Sequence, residues 1–321
     1  MPDRSTQQGF APAQNAPRAI VLPEYGFAAI EGVNAGQFLQ GQLSCNVPDA
    51  TAERVLPGAY CTIKGRVISS FLLWRPAPER ILLRMRADIL DATIAVLNKY
   101  GVFSRVTIAP AQPALCCIGL LGSNLQAALA PWFAIWPDAM RAVSSHEGMY
   151  LVRRDERGEA LELWLEAGRL EEVSEALTQR LAIATPGDWR LALVRGGAAE
   201  ICERTRELFL PQMLGYEHSG ALSFRKGCYT GQEIVARTHY KGALKRHLQR
   251  FECHADTAPL PGEEVREQTS ERLAGTIVEV APAAAGGWEL LAVVADDALE
   301  STLHTAAGNA LVLQPLAHAM I

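Results

Sequence analysis

The chain lacks any apolar run approaching the roughly 18 residues that a membrane helix needs; its longest, around residues 115–121, has the length of a strand. No membrane association is therefore expected. It has no C-x-x-C pair and no Cys/His set at zinc or iron–sulfur spacing, so no metal site is expected from this chain alone. G-x-G-x-x-G, the P-loop and G-x-S-x-G are absent too, which removes the nucleotide-binding and serine-hydrolase readings that rest on them. Neither sign of charge dominates: 30 basic against 35 acidic side chains leave a net charge of −5. That argues against nucleic-acid binding by the whole surface, though not by a local patch. Seven cysteines, an odd number without regular spacing, do not form a disulfide framework, and the reducing cytoplasm is the expected compartment. Residues 1–18 are rich in Pro, Ala and Gln, lack the apolar segment of a signal peptide, and read as a frayed tail.

What is present requires a core. A chain of 321 residues that is 49% hydrophobic and 20% charged folds, with two or three domains as the prior. Strand-like runs are expected at Phe27 to Ile30, Gly58 to Ile63, Val67 to Trp74, Ile81 to Met85 and Val102 to Ile108. Helices are expected after Asn34 and from Asp88 to Tyr100. After Pro113 the theme recurs: strands Ala114 to Leu120, Met149 to Arg153 and Leu161 to Leu165, with helices at Asn124 to Ala130 and Leu170 to Leu181. From Lys245 the pattern turns all-β, with β-branched and aromatic runs separated by Pro-Gly, Gly-Gly and Asp-Asp turns, which fits a small barrel or sandwich. The fold class is α+β, divided as a tail over 1–18, a layered region over 19–244 in two interleaved subdomains, and a C-terminal β-barrel over 245–321.

The most informative stretch is Lys226-Gly227-Cys228-Tyr229-Thr230-Gly231-Gln232-Glu233. Thr230 and Glu233 have capping-box spacing, which predicts a short helix from Gly231 with Ile234 and Val235 turned inward. Cys228 then lies just before a helix N-terminus, beside Arg225 and Lys226, where dipole and cations favour the nucleophilic thiolate. The competing reading is a small buried hydrophobe, the commonest state of a cysteine. Between Arg225 and Arg250 the local net charge is +6, leaving −11 on the rest of the chain. Such a band suits an anionic ligand, a folate glutamate tail or an RNA backbone, or is simply a solvated face. Trp189, following the Thr185-Pro186-Gly187-Asp188 turn, reads on spacing alone as helix packing, and Phe209-Leu210-Pro211-Gln212-Met213 places a Gln in an apolar loop.

These residues resemble the folate-binding YgfZ family, relatives of the glycine-cleavage aminomethyltransferase (T-protein). The family signature K-G-C-[YF]-x-G-Q-E runs unbroken from Lys226 to Glu233. Supporting matches include Phe38-Leu39-Gln40-Gly41-Gln42-Leu43, Lys64-Gly65-Arg66, the Trp189 segment, Phe209-Leu210-Pro211-Gln212, and Val235-Ala236-Arg237 with Gly242. The resemblance implies a T-protein-like fold around a folate-sized hole and tetrahydrofolate as cofactor. It also implies an accessory role for iron–sulfur enzymes, including those that methylthiolate tRNA. On it, Cys228 is the functional thiol, and Tyr25, Trp189, Gln212, Lys226, Gln232, Glu233 and Arg237 contact the cofactor. Iron–sulfur enzymes are implied as partners, direct RNA contact is left open, and a monomer is expected.

Departures from the aminomethyltransferase pattern bear on chemistry. Its G-G-[IV]-x-D-D strand corresponds here to Gly65-Arg66-Val67-Ile68-Ser69-Ser70, so both carboxylates are replaced by serine. Serine cannot hold charge beside an aminomethyl amine, which weakens an alternative reading as a folate-dependent C1 transferase or demethylase. Cys228 stands where the transferase has an acid, Asn46 where the family has Asp, and Tyr25 where it often has Trp. A third reading, a thiol-redox or RNA-binding module, rests on Cys228 and the basic band alone.

Overall fold

Two sheets, one antiparallel and one antiparallel but for a parallel edge pair, are built from strands whose inner residues are buried on both faces, which is why their sequences run apolar instead of alternating. The computed structural model describes residues 16–283 and 286–317, so the expected tail lies almost entirely outside the described residues. Strand β1 (Arg18–Val21) is the first strand among the described residues. The first sheet contains β2 (Tyr25–Glu31), β3 (Leu56–Cys61), β4 (Val67–Ala77), β5 (Arg80–Arg86) and β6 (Thr107–Pro110), in the order β3-β4-β5-β2-β6. Helices α1 (Ala35–Gln40) and α2 (Leu90–Gly101) connect these strands. The second sheet holds β7 (Leu115–Leu121), β8 (Val143–His146), β9 (Met149–Arg153), β10 (Ala160–Glu166) and β11 (Ala182–Ile183), with helices α3 (Leu125–Leu129) and α4 (Leu170–Thr178). Its order is β11-β1-β7-β10-β9-β8, so β1 leaves its sequence neighbours and pairs with β7 and β11.

Helix α5 (Pro186–Arg195) starts where Pro186 follows a true capping box, Thr185 N and Oγ1 both donating to Asp188 Oδ2 at 2.9 and 2.7 Å. Its Trp189 is fully buried. A loop-rich stretch leads to α6 (Gln232–Lys241), and the chain closes with a barrel of β12 (Arg246–Cys253), β13 (Glu264–Glu267), β14 (Leu273–Pro282), β15 (Trp288–Ala295), β16 (Leu303–Thr305) and β17 (Ala310–Gln314). The barrel is not a free appendage. Leu248, Val278, Leu291 and Val293 share one apolar core with β3, β4 and β5. Glu289, 2% exposed, ties Arg250 of the barrel to Arg195 at the end of α5.

Two local expectations are corrected. The strand read at Val102 to Ile108 starts only at Thr107, because residues 102–105 turn, with Arg105 at φ 52° and Phe103 96% exposed. The capping box at Thr230 does not form: Gly231, at φ 83°, is the N-cap, and the Thr230 hydroxyl donates to Gln42 Oε1 at 3.3 Å instead. Val235 is buried as expected, whereas Ile234 faces solvent.

Candidate functional site

Charged residues standing inside apolar strands mark the first part of the site. Arg84 interrupts Ile81-Leu82-Leu83 and Met85 on β5, and Glu162 stands between Leu161 and Leu163 on β10; both are buried. They meet across the two sheets in a bidentate pair, Arg84 Nε donating to Glu162 Oε2 at 2.9 Å and Nη2 to Oε1. Arg154, just after β9 and 2% exposed, donates to the same Oε1. Trp164 Nε1 adds a bond to Oε2 at 2.7 Å. Arg84 also donates from Nη1 to Glu200 Oε1 at 2.7 Å, and the Tyr25 hydroxyl donates to Glu200 Oε2 at 2.6 Å. Trp189 Nε1 donates to the Tyr25 oxygen at 3.2 Å, and the Arg84 guanidinium lies 4.0 Å from the Tyr25 ring centroid. Two cations face two anions, so the buried cluster is formally neutral, which makes its burial tolerable. Burial alone pushes the Glu200 carboxyl upward, but Arg84 and Arg154, with the bonds from Arg84 and Tyr25, bring it down to about 2. Glu200 is therefore a carboxylate at neutral pH.

The cluster forms one wall of a cavity. Arg154 and Glu200 line it together with Ser70, Phe71, Ala199 and Tyr216, and it holds about 600 Å³ of space free of protein atoms, counting its open mouth. Ser70, on β4 where the resemblance places a carboxylate, reaches this cavity, and its Oγ accepts from Ile201 N at 2.8 Å. Ser69 points away, buried with its Oγ unpartnered. A carboxylate beside aromatic and aliphatic walls can grip the N–H edge of a flat heterocycle while the walls take its faces.

The residues expected to touch a cofactor lie elsewhere. Tyr25 and Trp189 stand behind Glu200, one and two hydrogen bonds from the cavity wall, so they position that carboxylate. The Lys226 ammonium donates to the carbonyls of Gln40, Leu43 and Cys45 at 2.7, 2.5 and 2.9 Å. An ammonium has three N–H groups, so this lysine clamps the turn after α1 and keeps none for a ligand. Desolvation brings it down to about 8. Gln212, buried, donates to Val235 O at 2.7 Å and holds α6 to its own loop. Gln232 accepts from Tyr229 N at 3.2 Å, and Glu233 and Arg237 are exposed on α6. Cys228 is an exposed free thiol on the loop before α6; the other six cysteines are free and less accessible.

This loop has a fixed seat. A Cβ on Gly231 would meet Thr62 O at 2.2 Å, and one on Gly65, at φ 71°, would meet Val235 and Ile234 side-chain carbons at 3.2 and 3.3 Å. The two glycines let the signature loop press its backbone onto the Lys64-Gly65 turn. Stretches far apart in sequence, 38–43, 64–66 and 226–235, thus form one body beside Cys228. Sequence reasoning missed Arg84, Arg154, Glu162 and Glu200. For Arg84 and Glu162 the available signal was a lone charge inside an apolar strand; for Glu200 there was none.

No protein-family model matches the chain. Among curated proteins it is similar to the tRNA-modifying protein YgfZ of Klebsiella pneumoniae (strain 342), 33% identical over 261 residues, 81% of this chain and 79% of the relative. The tRNA-modifying protein YgfZ of Pectobacterium carotovorum (strain PC1) is 31% identical over 317 residues, 97% of this chain and 95% of the relative. Among solved structures, aminomethyltransferase T of the glycine cleavage system from Bartonella henselae superposes with a TM-score of 0.74 at 15% identity, covering 95% of this chain and 87% of that one. At that identity the likeness establishes the fold alone. No helix among the described residues is long and apolar enough to cross a membrane.

Proposed function

From the premise that this chain belongs to the YgfZ family of tRNA-modifying proteins, with the T-protein fold, we propose that it is a tetrahydrofolate-binding accessory protein. Its role in this reading is to support the assembly or repair of iron–sulfur enzymes, including those that methylthiolate tRNA, through Cys228. The observation that carries the folate part is the ionised Glu200 on the cavity wall. A pterin presents adjacent N–H donors on its aminopyrimidinone edge, and each Glu200 oxygen, already accepting one bond, retains a lone pair for one of them. Phe71 and the aliphatic wall suit the ring faces. Bound tetrahydrofolate supplies a carrier for one-carbon groups; the protein's own residues hold and orient it. Ser70 in place of a carboxylate leaves β4 without a charge to meet an aminomethyl amine, and Glu200 is engaged by Arg84 and Tyr25, so a binder fits better than a transferase.

Titration with tetrahydrofolate, followed by tryptophan fluorescence, is expected to show saturable quenching. Glu200→Gln is expected to weaken binding by about ten-fold or more, the loss of a charge-assisted contact. Unchanged affinity in a folded variant would remove the cavity from this reading, and robust aminomethyl transfer by the wild type would overturn the accessory role.

The thiol is tested separately. Because Cys228 is exposed, Cys228→Ala is expected to leave unfolding within about 0.5 kcal/mol of wild type. In a strain lacking the native protein, the same variant is expected to fail to restore tRNA methylthiolation. Full rescue would show the thiol to be dispensable.

A further inference from the structure

A second depression lies beside the cavity, across the turn at 215–222. It holds about 1170 Å³ of space free of protein atoms, its mouth included, and Arg54, Arg141 and Arg225 line it with Asn46, Asp49 and Phe224. Asp49 is the one carboxylate among its lining residues, and it is engaged by Asn46 Nδ2 at 2.8 Å. Arg54 and Arg225 are exposed, and among the described residues their side chains make no hydrogen bond or ion pair. Arg141 donates Nη2 to Ser219 O at 2.7 Å, while its Nε is buried with no partner. Burial and the neighbouring charge of Arg54 disfavour the Arg141 cation more than Glu156 supports it, a cost that a bound anion would relieve. Three guanidinium groups against one carboxylate stand out on a chain of net charge −5.

The rim is aromatic. Phe224 stacks on His239 with ring centroids 3.9 Å apart and meets the edge of Tyr240 at 6.1 Å. Tyr240 is 69% exposed, and α6 also presents Arg237 and Lys241 to solvent. His239 pairs with Glu217 at 3.1 Å, so this ring is held in place. Guanidinium groups converging on open space beside a half-buried Phe224 that leads to the exposed His239 and Tyr240 are the elements of single-strand recognition: phosphates on the cations, bases on the exposed rings.

We propose that this arginine-lined groove and its Phe224–His239–Tyr240 rim bind single-stranded RNA. A chain of carboxylates could also occupy the arginines, but it would leave the exposed rings without a use. The choice of RNA over DNA rests on the family reading above; the juxtaposition of arginines and rings does not, and the groove requires neither the cavity nor folate.

The test uses the full chain and a fluorescein-labelled oligouridine over a sodium chloride series, with oligothymidine and a pentaglutamate peptide alongside. Three phosphate contacts predict a slope of log affinity on log salt of about −2, and Arg54→Ala and Arg225→Ala are each expected to make it shallower by about 0.7. Together they should weaken RNA binding about twenty-fold near 0.1 M salt, with tetrahydrofolate affinity unchanged. Tyr240→Ala should cost about five-fold or more without altering the slope. Absence of oligouridine binding, or an unchanged slope in the double arginine variant, would overturn the proposal. So would pentaglutamate binding as tight as RNA. Equal affinity for oligothymidine would overturn the assignment to RNA. RNA binding without folate binding would leave the groove standing and remove the cofactor reading instead.

Discussion

Replacing Glu162 by alanine is expected to lower the free energy of unfolding by about 3–5 kcal/mol, the usual cost of breaking a buried ion pair by removing one partner. The reason lies in what remains. Arg84 and Arg154 would stay in the interior with a single carboxylate, Glu200, between them, and the Trp164 indole N–H would lose its acceptor. Urea unfolding followed by fluorescence measures the loss, and a drop of less than about 1 kcal/mol would mean that the cluster contributes little. Glu162→Gln, which preserves size and one acceptor oxygen, should fall between wild type and alanine.

The second large effect depends on pH. Glu279 on β14 is 4% exposed, and burial pushes its carboxyl from 4.5 up to about 7 against the pull of Arg86, whose Nη1 lies 3.8 Å away. Glu200 pushes it further upward and Arg190 opposes. Between pH 4.5 and 7 the unfolded chain releases this proton and the folded chain keeps it, so stability falls as pH rises through that window and levels off above it. Glu279→Gln removes the linkage. Relative to wild type, the variant should be near neutral at pH 4.5 and more stable by about 3 kcal/mol at pH 8, the shift to about 7 being net of the Arg86 attraction. Chemical denaturation at several pH values checks this, and a difference that does not vary with pH would refute it.

How much was legible in sequence follows the range of the interactions. The barrel showed itself because its strands, from Arg246 onward, are short β-branched or aromatic runs separated by turns marked by glycine, proline and aspartate, even though only half of its pairings join consecutive strands. The signature loop was legible by resemblance, and its seat explains its Gly231 and the Gly65 that it presses against. Thr230 misled because capping spacing is a local rule, and here a distant acceptor on Gln42 took the hydroxyl. In the Arg84–Glu162–Glu200 cluster the lone charges inside β5 and β10 were legible but their pairing was not, because the bonds join residues 78 and 116 positions apart and no local pattern encodes them. Tyr25 and Trp189 were read as cofactor contacts, and both lie at the cluster, one and two hydrogen bonds behind Glu200 on the cavity wall.

The placement of β1 governs how the gene can be divided. Residues 18–21 sit between β7 and the short edge strand β11 of the second sheet, while the next strand in sequence already belongs to the first. A fragment beginning after residue 22 would leave β11 without its partner strand and expose the unpaired edge of β7, a template for aggregation. A fragment ending at Pro110 would carry β1 with nothing to pair it. Split reporters, domain-by-domain expression and circular permutation should therefore leave residues 18–183 uncut and look for their breakpoint in the exposed turns of the barrel.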